Sequence, residues 1–251
     1  MTLRKLSGIA ILLIAILLLA GCSMDPRENP IDPSSSTWDK FVYPFSASLD
    51  FFAKIFWNEY GLAILALTII IRLLILPLMI KQYRSTKQMQ ALQPEILKIR
   101  KKYKDDPQKQ QEETMKLFQK HGVNPLAGCM PLLIQMPILI ALYNAIMRNE
   151  HIYEHTFLWM QLGERDPFFI LPTIAAITTY LQQKMMSSVQ QMNPQMEMLM
   201  VIFPILIFVT AMTFPAALPL YWIFSNLFTI VQTYFMYVRN SRKEVKGGLS
   251  K

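Results

Sequence analysis

A chain of 251 residues with 53% apolar and 17% charged side chains, at a mean hydropathy of +0.27, lies outside the ordinary soluble class. Its formal net charge of +8 informs through where the charges lie rather than through their sum. Two cysteines exclude a disulfide framework, and the sequence has no P-loop or Gly-rich nucleotide fingerprint.

Arg4 and Lys5 precede an apolar stretch at 9–19 that ends in Leu19-Ala20-Gly21-Cys22. The stretch is too short for a comfortable span and reads as a signal segment over 1–21. The Leu-Ala-Gly-Cys ending resembles the bacterial lipoprotein signal, which implies a lipid such as palmitate on Cys22. Cys129 has no metal-ligand spacing and reads as a packing residue. Residues 22–37, with three prolines and three consecutive serines, read as an extracytoplasmic tether. Residues 38–60 place Trp38, Phe41, Phe45, Leu49, Phe52 and Ile55 at spacings of three or four, interrupted by Asp39, Lys40, Asp50 and Lys54. This pattern predicts an amphipathic helix in the membrane interface, its aromatics facing lipid, with Pro44 as a kink or a start.

Residues 61–80 form a first span whose only charge is Arg72. Twenty residues reach across about 30 Å of hydrocarbon, and Arg72 sits roughly 12 Å inside the nearer end. An arginine at such depth costs about 2.5–3.5 kcal/mol even on a lenient scale. Its usual remedy is a carboxylate on another span, and no Asp or Glu lies well inside any other apolar run. Snorkelling to the interface is the competing account, and the depth argues against it. The expectation is therefore a wet cavity in which a lone cation meets a visiting anion.

Residues 81–130 are polar and predict a helical hairpin. Met89, Leu92, Ile96, Ile99 and Tyr103 make the seam of its first arm. Lys104-Asp105-Asp106-Pro107 turns the chain, Asp106 is the expected N-cap, and His121-Gly122 ends the second arm. Four further spans are expected at 131–147, 168–183, 196–213 and 218–238, with an outer loop at 148–167 and a basic tail at 239–251. Loop 81–130 holds 11 basic and five acidic residues, and the tail holds five and one. Segment 23–60 holds three basic and six acidic, and 148–167 holds two and four. Lys and Arg bias puts the hairpin and tail in the cytoplasm and the mature N-terminus outside. Five spans satisfy that alternation.

No catalytic constellation emerges. His151 and His155 are four apart in a loop and read as surface residues rather than metal ligands, and Ser225 has no intramembrane base. An enzyme is not expected, nor a metal or any cofactor beyond the lipid. Thr68 lies one turn from Arg72, and Gln135, Asn144, Gln182 and Asn226 could face the same space. Each amide has an ordinary alternative as an interhelical hydrogen bond. Met185, Met186, Met192, Met196, Met198 and Met200 cluster around the third and fourth spans, which suits either adaptable contact or packing filler.

The stretch Gln119-Lys-His-Gly-Val-Asn-Pro125-Leu-Ala-Gly-Cys-Met-Pro131-Leu-Leu-Ile-Gln135-Met-Pro137 resembles the signature region of the YidC membrane-protein insertases (YidC/Oxa/Alb). So do Ile71-Arg72-Leu-Leu-Ile-Leu-Pro77, Met89-Gln-Ala-Leu-Gln-Pro94-Glu95 and Phe214-Pro-Ala-Ala-Leu-Pro-Leu-Tyr-Trp222. The lipoprotein signal and five spans resemble the Gram-positive form, of which the sporulation-linked paralogues are a branch. The resemblance implies an all-α polytopic membrane protein with a hydrophilic groove open to cytoplasm and lipid. It implies Arg72 as the central cation, with Gln135, Gln182 and Trp222 lining the groove. Thr68, Asn144 and Asn226 are added from the residues themselves. The implied partners are newly made membrane proteins, the Sec translocon and membrane lipids, with no DNA. The short tail argues against strong tail-mediated ribosome binding. A small-anion transporter or channel is the alternative, and it lacks the paired inverted halves expected of such folds.

Overall fold

The computed structural model describes residues 30–123, 130–189 and 194–238. The expected signal segment, Cys22, the first part of the tether, Pro125, Cys129 and the basic tail lie outside the described residues. The protein is mostly helical. The first helices are α1 (Thr37–Ile55), α2 (Tyr60–Ala91), α3 (Gln93–Lys102) and α4 (Pro107–Lys120). They are followed by α5 (Met130–Met147), the single turn α6 (Glu150–Tyr153), α7 (Ile170–Val189), α8 (Pro194–Ala211) and α9 (Ala217–Thr233). A two-residue ribbon, β1 (Thr156–Phe157) with β2 (Met160–Gln161), lies between α6 and α7. This ribbon departs from the all-α expectation. A π-helical turn, Tyr234–Val238, extends α9.

Helix α1 begins where the Ser36 hydroxyl accepts the Asp39 N–H, so Pro44 lies inside it rather than at its start. Asp39, Val42, Ser46, Leu49 and Ala53 are buried, at helical spacing, on the side that packs against α2 and α5. The apolar stripe is therefore divided. Val42 and Leu49 enter the core with Phe45 and Phe52 packed beside them, while Trp38, Phe41 and Ile55 remain exposed. The helix stops at Ile55, short of the expected residue 60. Trp57 and Asn58 take φ of +54° and +65°, and left-handed backbone cannot continue a right-handed helix.

Helix α2 is long and apolar enough to cross a membrane, while the apolar runs Leu133–Met147 and Met200–Ala211 are shorter. It does not end at residue 80, where the hydropathy changes, but continues to Ala91. Its first two turns and a half are buried (Tyr60, Gly61, Ala63, Ile64, Leu67, Thr68). Beyond them Ile69, Ile70, Leu73, Leu74, Leu78 and Ile80 are exposed, a side-chain set suited to lipid rather than water. Gly61 lets the Phe157 ring lie directly on α2, because a β-carbon there would overlap that ring.

The main core joins α1, α2, α5, α7, α8, α9 and the loop after α5. Helix α9 is its axis and packs against α2, α5 and α7, while α8 packs against α7. Helices α3 and α4 form a separate small core of Leu92, Ile96, Leu117, Phe118 and Val123, with Met89 and Ile99 against it. Asp106 accepts the Lys109 N–H at 3.0 Å to start α4, and Gly122 takes φ +64° after its end. At the opposite end of the bundle, polar groups fasten the elements together. Arg148 grips Asp39 with two bonds of 2.7 and 2.8 Å and reaches the Pro30 carbonyl at 3.2 Å. Asn149 donates to Ser46 and Asp50, and the Tyr60 hydroxyl donates to Asp50 at 2.9 Å.

Candidate functional site

Arg72 lies on α2 immediately past the buried first turns, and its guanidinium is half-buried. One terminal nitrogen, Nη2, donates to Gln135 Oε1 at 3.3 Å and also to the Ser225 hydroxyl. The Gln135 Nε2 then donates to the Tyr221 hydroxyl at 2.8 Å. Three helices thus converge on one cation: α2 brings Arg72, α5 brings Gln135, and α9 brings Tyr221 and Ser225. Tyr221 and Ser225 are four residues apart, so they project from one face of α9. Both are buried, at 3% and 4% exposure.

No carboxylate pairs with Arg72 among the described residues. Neutral amide and hydroxyl oxygens hold it instead. They satisfy hydrogen-bond donors without cancelling the charge, and a guanidinium has five such donors. The site can therefore take up an anion, because its cation is positioned but not neutralised.

The other expected site residues separate into distinct environments. Thr68 is buried, at 2% exposure, and spends its hydroxyl on the Ile64 carbonyl at 2.6 Å, one turn back on its own helix. Asn144 does the same on α5, donating to the Ile140 carbonyl at 2.9 Å. Neither is hydrogen-bonded to Arg72. Asn226 is buried and bridges α9 to α7, donating to Thr178 at 3.1 Å and Thr179 at 2.9 Å. It follows Ser225 by one residue, so it points about 100° away round the helix. Its geometry is that of an interhelical bond rather than of a partner to Arg72. Asn226→Ala is accordingly expected to lower thermal stability by about 0.6–2 kcal/mol. A thermal melt of the purified variant against wild type would check it. Gln182 is half-buried on α7, and Trp222 packs against the main core beside Tyr221.

Ser225 and Tyr221 are the residues that sequence reasoning passed over. The signal was present as a pair of hydroxyls one turn apart in a span otherwise rich in apolar residues. His155 sits 3.4 Å from Glu59 and stacks edge-on to Tyr60 with ring centres 5.3 Å apart.

A family model described as 60Kd inner membrane protein matches residues 51–243. A Bacillus subtilis (strain 168) protein named Membrane protein insertase MisCA is 54% identical over 243 residues, covering 94% of this chain and 93% of its own. A Bacillus anthracis protein named Membrane protein insertase YidC 2 is 50% identical over 255 residues, covering 99% of each. Among solved structures, an active YidC insertase with its first transmembrane domain resolved is 29% identical with a TM-score of 0.66. The match covers 81% of this chain and 48% of that one, so this chain spans about half the length of that structure.

Proposed function

This chain belongs to the 60Kd inner membrane protein family, and on that premise we propose that it is a membrane protein insertase whose operating cation is Arg72. The observation that carries the reading is the Arg72 guanidinium, held by Gln135 and Ser225 without a carboxylate among the described residues. The family is one of insertases rather than enzymes, and no catalytic residue is assigned.

In this reading α2, α5, α7, α8 and α9 are five spans. Helices α3 and α4 form a cytoplasmic hairpin that recruits substrate, and α1 lies in the outer interface. The charge bias of the loops supports that orientation. Cys22 carries the lipid. Gln135, Ser225 and Tyr221 set the polar wall around Arg72, with Gln182 and Trp222 further along the same groove. The partners are newly made membrane proteins, with the Sec translocon and the ribosome as sources of substrate and with lipid as the destination.

The physical course is short. A hydrophobic segment arrives with a brief acidic flank. The flank enters the groove and is drawn to Arg72, which offsets part of the desolvation of its carboxylates. The apolar segment then leaves for lipid beside the groove, favoured by about 25 cal/mol per Å² of surface removed from water. The membrane potential carries an acidic flank in the same direction. No nucleotide takes part.

The test is protease-protected insertion of a single-span substrate with an acidic flank into vesicles containing only this protein. Insertion well above that of empty vesicles is expected. Background insertion combined with uptake of small anions would replace this reading by that of an anion channel.

A further inference from the structure

Four residues other than glycine take left-handed backbone among the described residues: Trp57 (φ +54°), Asn58 (+65°), Leu158 (+57°) and Phe169 (+55°). Bulky side chains avoid this region because the β-carbon crowds the backbone, so such positions persist where something outweighs the strain. Three of the four carry large apolar side chains that stay substantially exposed rather than entering the protein interior. Trp57 is 86% exposed, Leu158 68% and Phe169 46%, and Phe168 beside it is 65% exposed.

All of them lie at the end of the bundle away from α3 and α4. Phe157, next to Leu158, lies on Gly61 at the start of α2, and His155 reaches Glu59, two residues from Trp57. Asp166 fixes the second half of the cluster. It is buried and accepts Trp159 Nε1 at 3.1 Å, the Phe168 N–H at 3.1 Å and the Leu171 N–H at 2.6 Å. A network this well bonded holds hydrophobic side chains outward instead of folding them in. The protruding set also runs directly into the exposed stripe of α7, where Ile170, Ile174, Ile177 and Leu181 recur every three or four residues.

We propose that Trp57, Leu158, Phe168 and Phe169 are an anchor that inserts into the phospholipid of the outer leaflet, at the boundary between headgroups and acyl chains. The continuity with the α7 stripe selects lipid as the occupant, and aromatic side chains favour that depth. The Trp159 indole N–H is already bonded to Asp166, so its ring can enter the same layer without stranding a donor. The anchor pins the outer ends of α2 and α7 to one level of the bilayer.

The inference rests on the membrane-spanning reading, and the experiment separates the two. The full-length protein is placed in phosphatidylglycerol–phosphatidylcholine vesicles whose acyl chains carry bromine at carbons 6 and 7. The emission lost in Trp57→Phe is Trp57's own, and the emission gained in Leu74→Trp reports the exposed middle of α2. Brominated lipid is expected to quench both components by about twofold or more relative to plain lipid, with Trp57 shielded from aqueous acrylamide. Leu158→Asp should return Trp57 to acrylamide. Quenching at position 74 with Trp57 open to acrylamide would overturn the anchor alone, and quenching at neither would overturn the spanning reading with it.

Discussion

Arg72→Ala is expected to reduce insertion of a single-span substrate with an acidic flank by about tenfold or more, a change of about 1.4 kcal/mol in the free energy of the step. A carboxylate about 4 Å from a cation gains about 4 kcal/mol at an effective dielectric near 20, and hydration of an open groove removes part of that. Arg72→Lys keeps the charge. Its single ammonium cannot reproduce the reach of the guanidinium to Gln135 on α5 and Ser225 on α9, so insertion should fall by about threefold rather than tenfold. A substrate with a neutral flank should distinguish little between wild type and Arg72→Ala. Protease protection in vesicles of purified protein reads all three, and equal insertion of the acidic substrate by wild type and Arg72→Ala would remove charge attraction from the mechanism.

Breaking the clamp between α1 and α5 is expected to have the largest effect on stability. Arg148 and Asp39 are 11% and 7% exposed, so removing one leaves the other charged and out of water. Arg148→Ala should cost about 3 kcal/mol, the lower part of the range for such pairs. Asp39 keeps the Ser35 hydroxyl and the Asp32 N–H, which place it at that lower end. In detergent this corresponds to a fall in Tm of about 6–12 °C. The double variant Asp39→Ala with Arg148→Ala should lose less than Arg148→Ala alone, because no uncompensated charge remains. If the double variant loses the full sum of the two single effects, the pair is not coupled as described. The guanidinium holds the Asp39 carboxyl down to about 2 from its ordinary 3.8. At pH between those values the unfolded chain takes up the proton first, so the stabilisation is complete above about 3.8 and is lost as pH falls through about 2. A pH series of melts should show wild type losing this increment on acidification and Asp39→Ala lacking it.

Arg72 was legible because one charge in an apolar run contradicts its surroundings, and Gln135 because an amide at that depth needs a partner. Ser225 was not, since a serine in a span was weighed as a nucleophile lacking a base instead of as an acceptor for a donor on another helix. For Asn226 the sequence leaves two readings open, a groove amide or an interhelical bond. Sequence gives its depth, but only the rotation of α9 shows that it meets Thr178 and Thr179. Composition offers water as the remedy for a lone cation, and the convergence of three helices adds amide and hydroxyl acceptors that periodicity does not reveal. On α1, Asp39 and Asp50 read as interruptions that keep the helix in the interface. They face Arg148, Tyr60 and Asn149, contacts from elsewhere in the chain that periodicity cannot reveal. Hydropathy changes at Lys81 and bounds the expected span, while the helix itself runs on to Ala91 because residues such as Lys, Gln and Met continue a helix readily.

That unbroken α2 has a mechanical consequence. It is a rod of 32 residues, about 48 Å long, clamped by the core at one end and carrying the α3–α4 pair at the other. Pro77 removes the N–H that would bond the Leu73 carbonyl, which makes one soft joint about 7.5 Å along the axis from Arg72. A load on the α3–α4 pair bends the rod at that joint before it reaches the guanidinium. The pair can swing like a boom while the cation stays in register with Gln135 and Ser225.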